Sequence, residues 1–97
     1  MTMTLECLKL RREEIVEIAK NRGAKNIRVF GSVARGEARL DSDVDFLVEF
    51  EEGRSLFDLG GFIADAEELL GCKVDVISER GLRPRFRDRV MREAVAI

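Results

Sequence analysis

Every second residue from 44 to 50 is apolar, and this period of two constrains the fold more than any other feature of the chain. The apolar set is Val44, Phe46, Val48 and Phe50, and the residues between them are Asp45, Leu47 and Glu49. Side chains with a period of two lie on opposite faces of a β-strand. Phe46 and Val48 therefore belong to a buried face, whereas Asp45 belongs to the other face. The pattern predicts a half-buried strand that carries a carboxylate on the side away from the core.

Three aspartates can meet at one edge of the predicted sheet. Asp43 and Asp45 are two residues apart, so both can project from one face and grip the same divalent ion. Asp75 lies in a second predicted strand, 73–78, and would join them if the two strands were neighbours. Oxygen ligands of this kind are those that Mg²⁺ prefers.

A glycine–serine pair follows a third predicted strand, 26–30, at its carboxyl end. Gly31 would let the backbone approach a phosphate closely. The Ser32 hydroxyl and nearby N–H groups would then bind β- and γ-phosphate oxygens, and Arg35 could add charge-assisted contacts. These residues predict a turn that binds the phosphates of a nucleotide.

Each of these motifs has an ordinary structural interpretation. An isolated Asp-x-Asp is usually a solvated strand end, and a Gly-Ser pair is commonly a simple turn. Asp75 alone could be a surface residue of an edge strand, although a carboxylate in an apolar run is costly unless it faces water, a metal or a partner. The combination, in this order and spacing, favours metal-assisted nucleotide chemistry.

The rest of the chain predicts helices between and around these strands. Thr4 can cap a helix that Gly23 ends, and Ser55 with Asp58 resembles a capping box. The predicted helices are 4–22, 55–70 and 84–93, and 94–97 is a candidate edge strand. The fold class is therefore α+β, with a mixed sheet of three to four strands packed by helices.

Composition narrows the possible chemistry. The chain has 97 residues, which predicts one domain, 1–97, with a modest core. It has no histidine, so a general base must be a carboxylate, a lysine or a cysteine, and the aspartate cluster is the obvious candidate. With two widely separated cysteines, Cys7 and Cys72, and no histidine, neither a zinc site nor a Cys–His pair can be assembled.

Charge and hydropathy indicate which partners and which cellular location to expect. A net charge of −2 argues against general capture of nucleic acid, and no direct nucleic-acid binding is expected. No apolar run is long enough to suggest a membrane span, and charged residues interrupt the N-terminus where a signal peptide would be apolar. We therefore expect a cytoplasmic protein that does not bind membranes.

Arginines crowd the last predicted helix. A solvated face is the favoured interpretation of such a charge run, and a docking surface for an acidic partner or for phosphate is the alternative. The residues are Arg83, Arg85, Arg87, Arg89 and Arg92.

The sequence GSVARG at 31–36, followed by SDVD at 42–45, resembles the signature of the minimal nucleotidyltransferases, small relatives of DNA polymerase beta. The resemblance extends over nearly the whole chain and implies a small polymerase beta-like fold. It further implies the antitoxin half of an HEPN/MNT toxin–antitoxin pair, which transfers AMP from ATP to a tyrosine of a helical HEPN ribonuclease. By this resemblance Asp43, Asp45 and Asp75 are the catalytic triad that binds two Mg²⁺ ions, and Gly31 and Ser32 form the nucleotide-binding turn.

Two other functions remain open from the sequence. The chain could neutralise a toxin by binding alone, with the nucleotide fold as a docking module. It could also transfer a nucleotide to a small molecule, although enzymes of that kind usually carry an additional domain for the acceptor. Because the chain contains no tyrosine, a tyrosine acceptor would have to lie on another protein. The sequence leaves homo-oligomer formation undecided.

Overall fold

The computed structural model describes residues 3–39 and 42–97. The helices are α1 (Leu5–Leu10), α2 (Arg12–Asn21), α3 (Gly31–Arg35), α4 (Leu56–Leu70) and α5 (Pro84–Glu93), with a short 3₁₀ helix at Glu79–Gly81. The strands are β1 (Ala24–Phe30), β2 (Val44–Phe50), β3 (Val74–Ser78) and β4 (Val95–Ala96).

The strands form one mixed sheet in the order β3-β2-β1-β4. Strand β2 runs antiparallel to β1 and parallel to β3, with α4 as the connection between the parallel pair. Strand β4 pairs antiparallel with the outer side of β1, through Val95 opposite Val29. The predicted α+β class, the mixed sheet and the edge strand near the C-terminus are confirmed.

One face of the sheet carries the main core. Side chains from α1, α2 and α4 pack there against the apolar face of β2, where Phe46 and Val48 are fully buried as the alternation predicted. The Phe46 and Phe62 rings meet edge to face, with their centroids 6.0 Å apart, a favourable aromatic geometry. This packing turns the opposite face of β2, which bears Asp45, toward the other side of the molecule.

The predicted single helix at 4–22 is wrong, because the chain breaks it at Arg11. The Arg11 backbone leaves helical geometry (φ −104°, ψ 18°), and its N–H bonds back to Leu8 and Lys9 as the cap of α1. Its side chain donates a 2.7 Å hydrogen bond to the Leu69 carbonyl on α4. This contact joins residues 58 positions apart, so helical periodicity alone could not reveal the break.

The other helix boundaries follow their predicted caps. The Ser55 hydroxyl accepts a hydrogen bond from Phe57 N–H, and the Asp58 carboxylate accepts one from Ser55 N–H at 3.0 Å. This capping box begins α4, and Gly71 ends it. Helix α5 begins at Pro84, where the missing N–H costs nothing.

Within the described residues, no helix has both the length and the apolar character needed to cross a membrane.

Candidate active site

The strand register brings two of the predicted site aspartates side by side. Asp45 on β2 pairs with Asp75 on β3 in the parallel ladder, and neighbouring strands lie about 4.8 Å apart. On its other side Asp45 pairs with Phe30, the last residue of β1. The beginnings of β2 and β3 and the end of β1 therefore meet at one edge of the sheet, and the expected adjacency of the two strands is confirmed.

Asp43 lies next to this pair, one residue before β2. Val44, the next residue, donates its N–H to the Lys73 carbonyl at 3.0 Å, which ties the approach to β2 against the approach to β3. Asp43 and Asp45 are half-buried, whereas Asp75 is exposed on the outermost strand. The three carboxylates thus line one end of the sheet from its interior to its rim.

Burial and the neighbouring carboxylates both act on Asp45. Partial burial is the main cause that raises the pKa of the Asp45 carboxyl, and the charges of Asp75 and then Asp43 raise it further. The charge of Arg35 partly offsets this rise in the Asp45 pKa. A carboxyl flanked by two others is a typical signature of a functional site.

The chemistry of these donors fits a hard divalent cation, because carboxylate oxygens are the preferred protein ligands of Mg²⁺. In residues 3–39 and 42–97, however, no group of three acidic, cysteine or histidine side chains is already arranged to hold a metal ion. The backbone places Asp45 opposite Asp75 on neighbouring strands, so these two carboxylates are the ones that would share an ion. The two positive charges of a bound Mg²⁺ ion would offset the repulsion between Asp45 and the neighbouring carboxylates.

Gly31 is in direct contact with the cluster. It follows β1 with a left-handed backbone (φ +74°), and a Cβ atom at this position would collide with Asp45 Oδ2. Only glycine meets both conditions. The Gly-Ser pair, predicted as a turn that binds phosphates, is in fact the start of the short helix α3, which Gly36 caps.

Arg35, predicted to contact phosphate, is held by two carboxylates. Its Nε lies 3.1 Å from Glu37, and its Nη1 lies 3.4 Å from Glu93 on α5. Glu37 is the main cause that raises the Arg35 pKa. A phosphate bound by Arg35 would therefore share the guanidinium with these acids or replace one of them.

Two neighbours of the site were not predicted from the sequence. Glu93 is 58 residues from Arg35, and nothing local in the sequence signals their contact. Cys72 lies near Asp43: burial raises the pKa of the Cys72 thiol, and the charges of Asp43 and Glu67 raise it further. The thiol therefore remains protonated at neutral pH and is a poor nucleophile.

The arginines of α5 are all exposed, as expected for a solvated face. Arg87 pairs with Glu79 at 3.2 Å, and the Arg85 guanidinium lies 5.7 Å from the centre of the Phe86 ring. Arg92 donates to the Asp88 carbonyl in the same helix.

Comparison with known proteins places the chain in a family. Residues 12–97 match the family described as the nucleotidyltransferase domain. A protein of Methanocaldococcus jannaschii, provisionally named a protein adenylyltransferase, is 42% identical over 86 residues, which cover 89% of this chain and 92% of the relative. The protein adenylyltransferase MntA of Thermococcus cleftensis is 42% identical over 81 residues, 84% of this chain and 82% of the relative.

Solved structures share the architecture. One, provisionally described as a minimal nucleotidyltransferase, superimposes with a TM-score of 0.87 at 55% identity and covers 98% of this chain and 97% of its own. A toxin–antitoxin structure with AMP-PNP superimposes with a TM-score of 0.75 over 87% of this chain and 69% of its own. At 17% identity, that second likeness concerns the fold alone.

Proposed function

The chain belongs to the nucleotidyltransferase domain family, and we propose that it transfers AMP from ATP to a hydroxyl group of a partner protein. The single observation that carries the proposal is the register of Asp45 with Asp75, beside Gly31 and near Asp43. The names of the relatives from M. jannaschii and T. cleftensis support a protein as acceptor.

We assign the catalytic roles by position in the site. Asp43 and Asp45 would hold both of two Mg²⁺ ions, and Asp75 would hold the ion nearer the incoming hydroxyl. Bound Mg²⁺ would neutralise phosphate charge and stabilise the developing charge on the attacking and leaving oxygens. Gly31, Ser32 and Arg35 would bind the β- and γ-phosphates through backbone N–H groups, a hydroxyl and a guanidinium.

The reaction proposed is an in-line displacement at the α-phosphorus. The acceptor oxygen forms a bond to that phosphorus as the bond to the bridging oxygen breaks, and pyrophosphate leaves. Asp75 accepts the hydroxyl proton, since it is exposed to an approaching partner and the chain has no histidine. A carboxylate at the rim of the sheet can be reached by a side chain of another protein.

The partner we propose is an HEPN-family toxin, with a tyrosine as the acceptor and the chain as its antitoxin. The absence of tyrosine from this chain fits an acceptor on another protein. Relatives of the same fold, solved as toxin–antitoxin assemblies, support this kind of partner. We place the encounter in the cytoplasm.

Incubation of the chain with labelled ATP, Mg²⁺ and the purified product of the neighbouring gene tests the activity. We expect label on that product, at a tyrosine, with the wild type. Asp43→Asn should reduce transfer by about 10²–10³-fold, the usual cost of losing one group that stabilises charge in the transition state, because one proposed ligand of both ions is lost. Asp88→Asn, a matched change at an exposed acid of α5, should leave transfer unchanged. If no label is transferred, or if Asp43→Asn transfers as well as the wild type, the proposal fails.

A cellular assay separates catalysis from binding alone. We expect the wild-type chain to rescue cells that express the toxin, and the double change Asp43→Asn with Asp45→Asn to abolish this rescue. Full rescue by the double variant would mean that binding is sufficient and that the transfer reaction is not how the toxin is neutralised.

A further inference from the structure

Helix α5 covers the carboxylate-bearing face of the sheet without packing tightly against it. None of its residues is buried, and Phe86 is 48% exposed although it lies on the apolar side of the helix. A pocket of about 380 Å³ remains between α5 and the sheet. Its apolar walls are Phe30, Ile77, Leu82, Phe86 and Val90.

The pocket is continuous with the candidate active site. Phe30 pairs with Asp45 across β1 and β2, so their side chains share one face of the sheet. Ile77 lies two residues beyond Asp75 on β3, about 6.6 Å along the strand and on the same face. The apolar walls of the pocket therefore adjoin the carboxylates of Asp45 and Asp75 on the same face of the sheet.

The charges around the pocket are concentrated toward α3. Gly31 and Arg35 line that end, and Arg89 and Glu93 line the pocket from α5. The opposite part, formed by Ile77, Leu82 and Phe86, is apolar. A ligand that lies along the pocket would thus meet Arg35, with Glu93 paired to it, at one end and an aromatic ring at the other.

We propose that this pocket binds the nucleobase of the nucleotide substrate, stacked on the Phe86 ring. A nucleoside triphosphate has the matching distribution, with a polyanion at one end and a flat aromatic ring at the other. The phosphates lie toward Gly31 and Arg35, the α-phosphorus beside Asp45 and Asp75, and the base against Phe86. The volume falls in the range of small-molecule sites, about 300–1,000 Å³. This inference rests on the proposed function for the direction of the phosphates.

The chain contains no tryptophan, which permits a direct test. Phe86→Trp places a single indole in the pocket, and a stacked purine should quench its fluorescence. We expect ATP with Mg²⁺ to quench it in a saturable way and inorganic tripolyphosphate with Mg²⁺ to leave it unchanged. Phe57→Trp is the matched control, because Phe57 is 89% exposed at the start of α4 and does not line the pocket.

Calorimetric titration supplies the second measurement. Phe86→Ala should weaken ATP binding about tenfold, the usual effect of losing one aromatic stacking partner, and should leave tripolyphosphate affinity unchanged. Phe57→Ala should change neither. Circular dichroism identifies any variant that fails to fold, and Phe86→Leu, which keeps the apolar volume, then replaces Phe86→Ala.

Three outcomes would overturn the inference: unchanged ATP affinity in the folded Phe86 variant, no quenching of Phe86→Trp by ATP, or wild-type binding of ATP no tighter than that of tripolyphosphate. None of these depends on a partner protein. If ATP binds and its binding depends on Phe86, but no AMP is transferred to the partner, the proposed function fails. The assignment of the nucleobase to this pocket would then still hold.

Discussion

Asp45 is destabilised in its charged form by burial and by two neighbouring carboxylates, and Arg35 partly offsets this effect. Burial and two neighbouring carboxylates raise its pKa, so its charged form costs folding free energy. For an acid whose folded pKa is raised, the native state binds more protons than the unfolded state, and stability falls as pH rises through that pKa. Asp45→Asn should therefore raise the melting temperature at about pH 7, and the gain should shrink as the pH is lowered toward 4.

Thermal unfolding across this pH range, in metal-free buffer, measures the effect. Asp88→Asn, at an exposed position on α5, is the control and should show little change at any pH. A lower melting temperature for Asp45→Asn at neutral pH would contradict the electrostatic argument.

The glycines at the two ends of α3, Gly31 and Gly36, allow the cost of left-handed backbone to be measured separately from the contact with Asp45. Gly31 and Gly36 both have φ +74°, but a Cβ at Gly31 would meet the Asp45 carboxylate, whereas a Cβ at Gly36 has nothing within 4 Å. Gly36→Ala should cost about 1–2 kcal/mol in unfolding free energy, because alanine disfavours left-handed backbone, and should keep activity. Gly31→Ala should cost more and should also abolish transfer, since it displaces Asp45.

Urea unfolding and the transfer assay give the two measurements for this pair. In an Asp45→Ala background the extra cost of Gly31→Ala should disappear, because the colliding carboxylate is gone. Equal losses of stability for Gly31→Ala and Gly36→Ala in the wild-type background would rule out the contact.

Among the secondary-structure elements, α4 was predicted most fully from local sequence. Its capping box and its terminal glycine are signals within four residues of each end. Helices α1 and α2 were predicted as one because the apolar period continues through Arg11, and only the contact of Arg11 with α4 reveals the break.

The capping box makes a pH-dependent contribution to α4. The hydrogen bond from Ser55 N–H is the main cause that lowers the pKa of the Asp58 carboxyl. An acid with a lowered folded pKa stabilises the protein above its unfolded pKa, and this stabilisation is lost as the pH falls through the folded value. Asp58→Asn should therefore lower the melting temperature at neutral pH, and the deficit should shrink in acid.

Ser55→Ala is the matched variant for the same cap. It removes the hydroxyl that accepts from Phe57 N–H and should cost about 1 kcal/mol. Because no charge is lost, the deficit in unfolding free energy should be the same at neutral pH as in acid. A deficit of Asp58→Asn that does not change with pH would show that its charge is not what stabilises the helix.

At the scale of the whole molecule, the two faces of the sheet differ in packing. Three helices bury one face, whereas α5 covers the other loosely and leaves the pocket beside the carboxylates. A ligand in that gap would add contacts that the free protein lacks, and a ligand that binds only the native state stabilises it.

Saturating ATP with Mg²⁺ should therefore raise the melting temperature strongly. A ligand at a hundred times its dissociation constant contributes about 2.7 kcal/mol. With about 4–8 °C per kcal/mol for a domain of this size, the increase should be roughly 10–20 °C. Differential scanning calorimetry checks this, with Asp45→Asn as the variant that should show little increase. An equal increase in both proteins would place the nucleotide somewhere else.

The sequence by itself determined the face on which each strand residue lies, the caps of α4 and the carboxylate character of the site. These properties follow from backbone periodicity and from hydrogen bonds within a few residues. The tertiary structure decided which residues meet across the chain: Asp45 with Asp75, Arg11 with Leu69, and Arg35 with Glu93. Such pairings depend on strand order, register and side-chain packing, which are set by the free energy of the whole folded chain rather than by any local segment.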